Sequence, residues 1–247
     1  MIKDIEYILK NIIFSETYLL KKRLKRAIKN NYEKELNFIN RFRDPSKSAV
    51  DVGVYRGVYS YKLSQLYKHV YSFEANSLIF PFLKKNLPKL IRNITLYNCA
   101  LSDQAGLIKL KIPIRTKSLF KGNYEEIYQL GAATIHPNNK FDKFNTIEVE
   151  RKKLDDILNG KKIGFIKIDV EGHEKEVIEG SKRIIRENHP ILLVEIEERH
   201  SKNKVIDTIN YINKLGYNSF YLFENKLIET KNLKNFNNVN NFIFRAK

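Results

Sequence analysis

Residues 163–174 read "IGFIKIDVEGHE", an apolar run that ends in Asp169, Glu171 and His173, with Gly172 between the last two. Ile163, Phe165, Ile166 and Ile168 make the run nearly continuous in hydrophobicity, the pattern of a strand buried on both faces of a parallel sheet. The next stretch, "EKEVIEGSKRIIREN" (174–188), carries Val177, Ile178, Ile184 and Ile185 at helical spacing. A buried strand passing through polar groups into a helix is a piece of a βαβ unit, so the chain reads as α/β. Three ionisable groups at a strand mouth can be a reaction centre, a metal site or a polar helix start.

The same alternation extends outward in both directions. "SAVDVG" (48–53) reads as a first strand, followed by a helical face from Val58, Tyr61 and Leu66. "HVYSFE" (69–74) is a second strand, and "SLIFPFLKKNL" (77–87) a helix with Pro81 near its first turn. "ITLYNCAL" (94–101) is a third strand, and "GLIKLKIPI" (106–114) alternates like an accessory one. Residues 115–145 lose periodicity and read as a long irregular insertion, which in a compact domain is usually functional or disordered. "TIEVERKKLDDIL" (146–158) gives a strand and a short helix, and "ILLVEIE" (191–197) another buried strand. A helix near 202–215 stops at Gly216 and precedes "YNSFYLF" (217–223) and "NFIFRAK" (241–247). The expected architecture is one α/β domain over residues 46–247, with a mostly parallel sheet covered on both faces. Ligands of such sheets sit at the carboxyl ends of the strands, near the switch point.

Residues 1–45 stand outside this alternation. Ile5, Ile8, Leu9, Ile12 and Ile13, then Leu24, Ala27 and Ile28, then Leu36 and Ile39, keep a helical period and predict an N-terminal helical extension. Its run "KKRLKRAIKN" (21–30) is densely basic. The readings are a helix packed on the domain with a solvated basic face, or an element that meets an anionic membrane through residues 1–40.

The whole chain of 247 residues carries 45 Lys+Arg against 28 Asp+Glu, a net charge of +17. Such a balance suits polyanionic partners, although a lysine-rich composition spread over the chain gives the same number. Cys99 is the only cysteine, which excludes an internal disulfide and fits a reducing, cytoplasmic setting. No apolar run approaches the ~20 residues of a membrane span.

"DVGVYRG" (51–57) joins the first strand to the first helix. Gly53 allows a tight turn, Gly57 lets the helix start lie near a ligand, and Asp51 puts a carboxylate at the strand tip. The three-glycine dinucleotide pattern is absent, because Tyr55 and Arg56 separate the two glycines. Glu74 ends the second strand, where an acid accepts hydrogen bonds from both hydroxyls of a ribose. "NCALSD" (98–103), with Ala100, would then border an adenine. Three such signals on consecutive strand ends predict a nucleoside cofactor bound by Asp51, Gly53, Gly57, Glu74 and Ala100, with Tyr55 in the same turn.

With "DVGVYRGVYS", "VYSFEANS", "NCALSD", "IGFIKIDVEGHEKEVIEGSKRII" and "PILLVEIE" in this order, residues 48–225 resemble the FkbM family of S-adenosylmethionine-dependent methyltransferases. The resemblance implies a class I methyltransferase (Rossmann-like) fold with a seven-stranded sheet whose last strand is antiparallel. It implies S-adenosylmethionine as cofactor and O-methylation of sugars, natural products or glycans. The chain departs from the family at Tyr55, where a small polar residue, often Asn, is usual.

Methyl transfer to a hydroxyl needs alignment and a base. His173, at a helix start after the strand tip, is the candidate base. Asp169 would meet the cofactor amino group or orient His173, and Glu171 would hold an acceptor hydroxyl. Glu195, at the tip of "LLVE", and His136, in the insertion, are candidate acceptor contacts. The spacing of Asp169, Glu171 and His173 is no recognised metal motif, so no metal is assigned. The leading expectation is an O-methyltransferase for a sugar hydroxyl of a glycan or a nucleotide- or lipid-linked saccharide. The alternatives are an RNA methyltransferase, against which stands the absence of a D/N-P-P-Y block, or an inactive membrane-associated relative.

Overall fold

Strand β1 (Ser48–Val52) is buried along its whole length, and its neighbours in the sheet explain why. The computed structural model describes residues 14–118, 124–135, 142–197, 204–233, 236 and 239–247. In it β1 pairs in parallel with β2 (Val70–Phe73) on one side and with β8 (Ile163–Ile168) on the other. β3 (Ile94–Tyr97) extends the sheet beyond β2, and β9 (Ile191–Glu195) extends it beyond β8, both in parallel. Chain order therefore reverses between β1 and β8, and their carboxyl ends form the switch point.

Among the described residues the sheet has eight strands rather than the seven expected: with β10 (Tyr217–Phe223), β11 (Lys226–Glu229) and β12 (Asn241–Ala246), the order is β11-β10-β12-β9-β8-β1-β2-β3. β12 inserts antiparallel between β9 and β10, as the last strand was expected to run antiparallel. The eighth strand, β11, hangs on β10 through a two-residue turn at Glu224 and Asn225. Both turn residues have positive φ, 44° and 60°, the backbone of a type I′ hairpin. That turn commonly carries Asn-Gly, so Glu-Asn gave no strong signal in the sequence.

The insertion also departs from expectation. β4 (Ala100–Leu101), β7 (Phe144–Lys152), β5 (Gly106–Ser118) and β6 (Tyr124–Tyr128) form a second, four-stranded sheet in that order. β5 runs antiparallel to β7 and to β6, so much of 115–145 is regular structure built on backbone pairing, not apolar alternation. "ITLYNCAL" is accordingly split: β3 belongs to the main sheet and β4 to the small one.

Of the helices, α1 (Glu16–Lys29) and α2 (Glu35–Phe38) precede β1, and α3 (Val58–Leu63) follows it. α4 (Phe80–Leu90) has a proline in its first turn. α5 (Leu154–Ile157) precedes β8, while α6 (Glu174–Glu179) and α7 (Lys182–Asn188) follow it. α8 (Lys204–Lys214) leads into β10. α1 turns Leu20 and Leu24 into a cluster with Val54, Ile79, Leu83 and Leu87, and buries Ala27 on the same side. The apolar positions from Ile5 to Ile13 lie outside the described residues.

The stretch after β8 is two short helices, not one. A Cβ on Gly180 would come within 1.9 Å of the Ser102 carbonyl oxygen, so the break is where another backbone crosses. That crossing brings "NCALSD" against the end of α6.

Candidate active site

The carboxyl ends of β1 and β8 lie side by side. The Asp169 amide donates to the Val52 carbonyl at 3.0 Å. Gly53 has φ +86°, and a Cβ there would sit 1.9 Å from the Asp169 carbonyl oxygen. Only glycine permits this approach. Above it opens a cavity of about 290 Å³. Gly53, Tyr55, Glu74 and Ala100 border it on the β1–β2 side, and Asp169, Glu171, His173 and Glu195 on the β8–β9 side. Leu110, Leu130, Gly131, Ala133 and Ile135, from the small sheet and its connections, form a further apolar wall. His136 lies outside the described residues.

Glu74 is nearly buried, and its two oxygens accept the amides of Tyr55 and Asn76, each at 2.8 Å. Burial pushes its carboxyl up, while those amide bonds pull it down. A carboxylate has about four acceptor positions, so capacity remains for ribose hydroxyls. The amide of Tyr55 points at Glu74 because Tyr55 adopts a left-handed backbone, φ 47°. Asn tolerates that region better than tyrosine, which gives a physical reason for the family's usual residue there. The Tyr55 ring reaches Gly131, where a Cβ would meet it at 2.9 Å, and Arg56 lies 4.8 Å from its centroid.

Two expected cofactor contacts are placed elsewhere. Asp51 does not border the cavity; it is buried and takes the Ser60 hydroxyl at 2.5 Å. Burial raises its carboxyl to about 7, against the pull of that bond and of Lys167. Gly57 begins α3 with φ +78°, packed on Leu87 and away from the cavity lining. Both shape the turn from below.

His173 is also placed differently from the free base expected. Its Nε2 lies 3.0 Å from Ser102 Oγ, and Ser102 in turn donates to Asp103 at 2.9 Å. With the serine proton committed, Nε2 is the donor, and Nδ1 is the basic nitrogen of the neutral ring. Nδ1 faces Glu176 at 3.5 Å. The ring makes no capping bond to α6, and Glu174, its first residue, accepts the Gly172 amide at 2.6 Å. Glu171, with φ 53°, accepts the Thr134 hydroxyl on its carbonyl at 2.6 Å, which ties this turn to the small sheet.

The centre of charge is a residue that the strand pattern concealed. Lys167, between Ile166 and Ile168, is 1% exposed. Its Nζ is 3.3 Å from Asp169 Oδ2, 3.7 Å from Glu195 Oε2 and 5.0 Å from the Tyr59 ring centroid. None of these contacts has hydrogen-bond geometry. Burial lowers its affinity for a proton, but Asp169, Glu195 and Glu33 outweigh that and hold the ammonium above its usual range. Glu195 moves the other way for a carboxylate: burial, then the neighbouring Asp169 charge, raise it to about 8 against the pull of Lys167. One cation shared by two carboxylates explains both directions, since the second acid gains less from the cation than it loses to its neighbour. Glu33, also on the cavity, accepts the Tyr59 hydroxyl at 2.6 Å. A lysine inside an apolar strand was a readable signal for Lys167, whereas nothing in the sequence near Glu33 pointed to the site. Among the described residues, no group of three or more His, Cys, Asp or Glu side chains could hold a metal ion.

A parallel sheet with an antiparallel last strand, a glycine turn at the switch point and an acid ending β2 define the class I methyltransferases. The FkbM methyltransferase domain profile matches residues 51–219, and the chain belongs to that family of S-adenosylmethionine-dependent enzymes. Among solved structures, an FkbM methyltransferase from Methylobacillus flagellatus superposes with a TM-score of 0.53 at 17% identity, covering 81% of this chain. The chain spans only 44% of that protein. A protein from Streptococcus mutans, solved with S-adenosylhomocysteine, gives a TM-score of 0.50 at 13% identity, covering 87% of this chain and 97% of its own. An rRNA methylase from Streptococcus thermophilus gives 0.49 at 14% identity, covering 87% and 94%. No curated protein matches the chain in sequence. Among the described residues no helix is long and apolar enough to cross a membrane.

Proposed function

We propose that the chain transfers the methyl group of S-adenosylmethionine to a sugar hydroxyl, with Glu195 and Asp169 as the acceptor-side acids. The observation that carries this reading is the carboxylate pair around Lys167, which opens on the same cavity as the glycine turn. When bound, S-adenosylmethionine supplies a methyl group on a positively charged sulfur. Gly53, Tyr55, Glu74 and Ala100 would hold it, Glu74 by accepting the ribose hydroxyls. A hydroxyl is a poor nucleophile at neutral pH, so a base held near the reaction pH is useful. Glu195, raised to about 8, suits that role: in its ionised form it would accept the proton of the acceptor hydroxyl. Lys167 positions the pair, lying 3.3 Å from Asp169 and 3.7 Å from Glu195. His173 is read as wall, because Ser102 holds its Nε2 and its Nδ1 is turned to Glu176.

The test is incubation with methyl-labelled S-adenosylmethionine and a panel of free, nucleotide-linked and lipid-linked saccharides. Label in an O-methyl sugar, lost in Glu195→Gln but retained in His173→Gln, is the expected outcome. Label on nitrogen or in RNA alone would overturn the reading.

A further inference from the structure

Beside the glycine turn, and outside the cavity, α1 borders a groove of about 890 Å³. Four cations line it: Lys22, Arg23, Arg26 and Arg56. None of them is paired with an acid among the described residues. Among the described residues of the lining the only acid, Glu16, is already taken by Lys85 at 2.9 Å. Three aromatic side chains stand exposed in the same groove: Phe14 at 40%, Tyr18 at 47% and Tyr32 at 61%. Phe14 and Tyr18 stack with centroids 4.9 Å apart.

Arginines interleaved with exposed aromatic faces are built for phosphate next to a flat ring: guanidinium forks match phosphate oxygens, and the rings stack on a base. A bilayer is a poorer fit. The apolar side of α1, Leu20, Leu24 and Ala27, is buried against the domain and cannot enter lipid. The groove is also connected to the site. Arg56 lines it while stacking on Tyr55, Tyr55 borders the cavity, and both line a hollow of about 500 Å³ between them.

We infer that this groove binds the nucleoside diphosphate of a nucleotide-linked saccharide whose sugar reaches the cavity past Tyr55. The inference rests on the saccharide reading above and narrows it to acceptors carrying a diphosphate.

The experiment is calorimetric titration of the full chain, saturated with S-adenosylhomocysteine, against UDP and GDP. Binding in the micromolar to sub-millimolar range is expected. It should weaken about tenfold or more in the double variant Arg23→Ala/Arg26→Ala, the loss of one good phosphate contact or more. Both residues are solvent-exposed, and an unchanged S-adenosylhomocysteine affinity in that variant verifies its fold. No heat with either nucleotide at millimolar concentration, or binding indifferent to the double substitution, overturns the inference. So does tighter binding of farnesyl diphosphate, which would point to a lipid-linked acceptor, or of an RNA oligonucleotide at physiological salt. Failure to bind S-adenosylhomocysteine in the same instrument counts against the methyl-transfer reading instead, and leaves the nucleotide result interpretable.

Discussion

Replacing Lys167 by Met keeps the volume of the side chain but leaves Asp169 and Glu195 facing each other without a cation. Breaking a buried pair in this way costs about 3–5 kcal/mol. Urea denaturation of Lys167→Met at pH 7 should show that loss, and an unchanged midpoint would contradict the placement. The same cluster shapes the pH profile of the intact protein. Glu195 keeps its proton up to about 8 in the fold but only to its ordinary 4.5 when unfolded. Between those values the fold binds more protons, so stability falls as pH rises through the window. Asp51 adds to the decline between 3.8 and about 7. Melting temperature should therefore drop from pH 5 to pH 8 and drop less in Glu195→Gln; a flat profile in the parent would contradict the placement. At Tyr55, φ 47° imposes a left-handed strain of roughly 1–2 kcal/mol that asparagine relieves. Tyr55→Asn should keep or raise the thermal shift produced by S-adenosylhomocysteine. The residue scale was half legible in advance. Acids at strand tips announce themselves because the apolar run stops at them. The committed proton of His173 depends on Ser102, 71 residues away, and no local pattern encodes it.

Among the elements, α1 carries the clearest consequence. The basic run was readable as a helix, with Ser15 capping it by accepting the Tyr18 amide at 3.3 Å. Its docking was not readable, because period shows that a helix has an apolar face but not what that face covers. Leu24 is fully buried against α1's neighbours. Leu24→Ala should cost about 2–5 kcal/mol in equilibrium unfolding, whereas a helix standing free of the domain would lose nearly nothing. The second sheet was missed for a different reason. β6 earns its place by backbone pairing to β5, and an edge strand of polar and aromatic residues leaves no alternation to read.

For the whole molecule, the parallel core from β3 to β9 was legible because fully buried strands separated by helices permit few arrangements. The cavity wall drawn from Glu33, the β1 turn, the small sheet and β9 was not, since it is assembled from segments far apart in sequence. Such a site stabilises the entire fold when filled. At a hundredfold excess over its dissociation constant, S-adenosylhomocysteine should add about 2.7 kcal/mol, or roughly 5–10 °C in Tm for a chain of this size. A scan without any shift would contradict cofactor use. The sheet order has a further effect, on the timing of folding during synthesis. β12, residues 241–246, occupies the place between β9 and β10. While the ribosome still holds those residues, β9 has an open edge and the β10–β11 hairpin has no sheet to join. The nascent chain therefore carries an unpaired, apolar border until its closing strand emerges, and that interval is when it most needs chaperone protection.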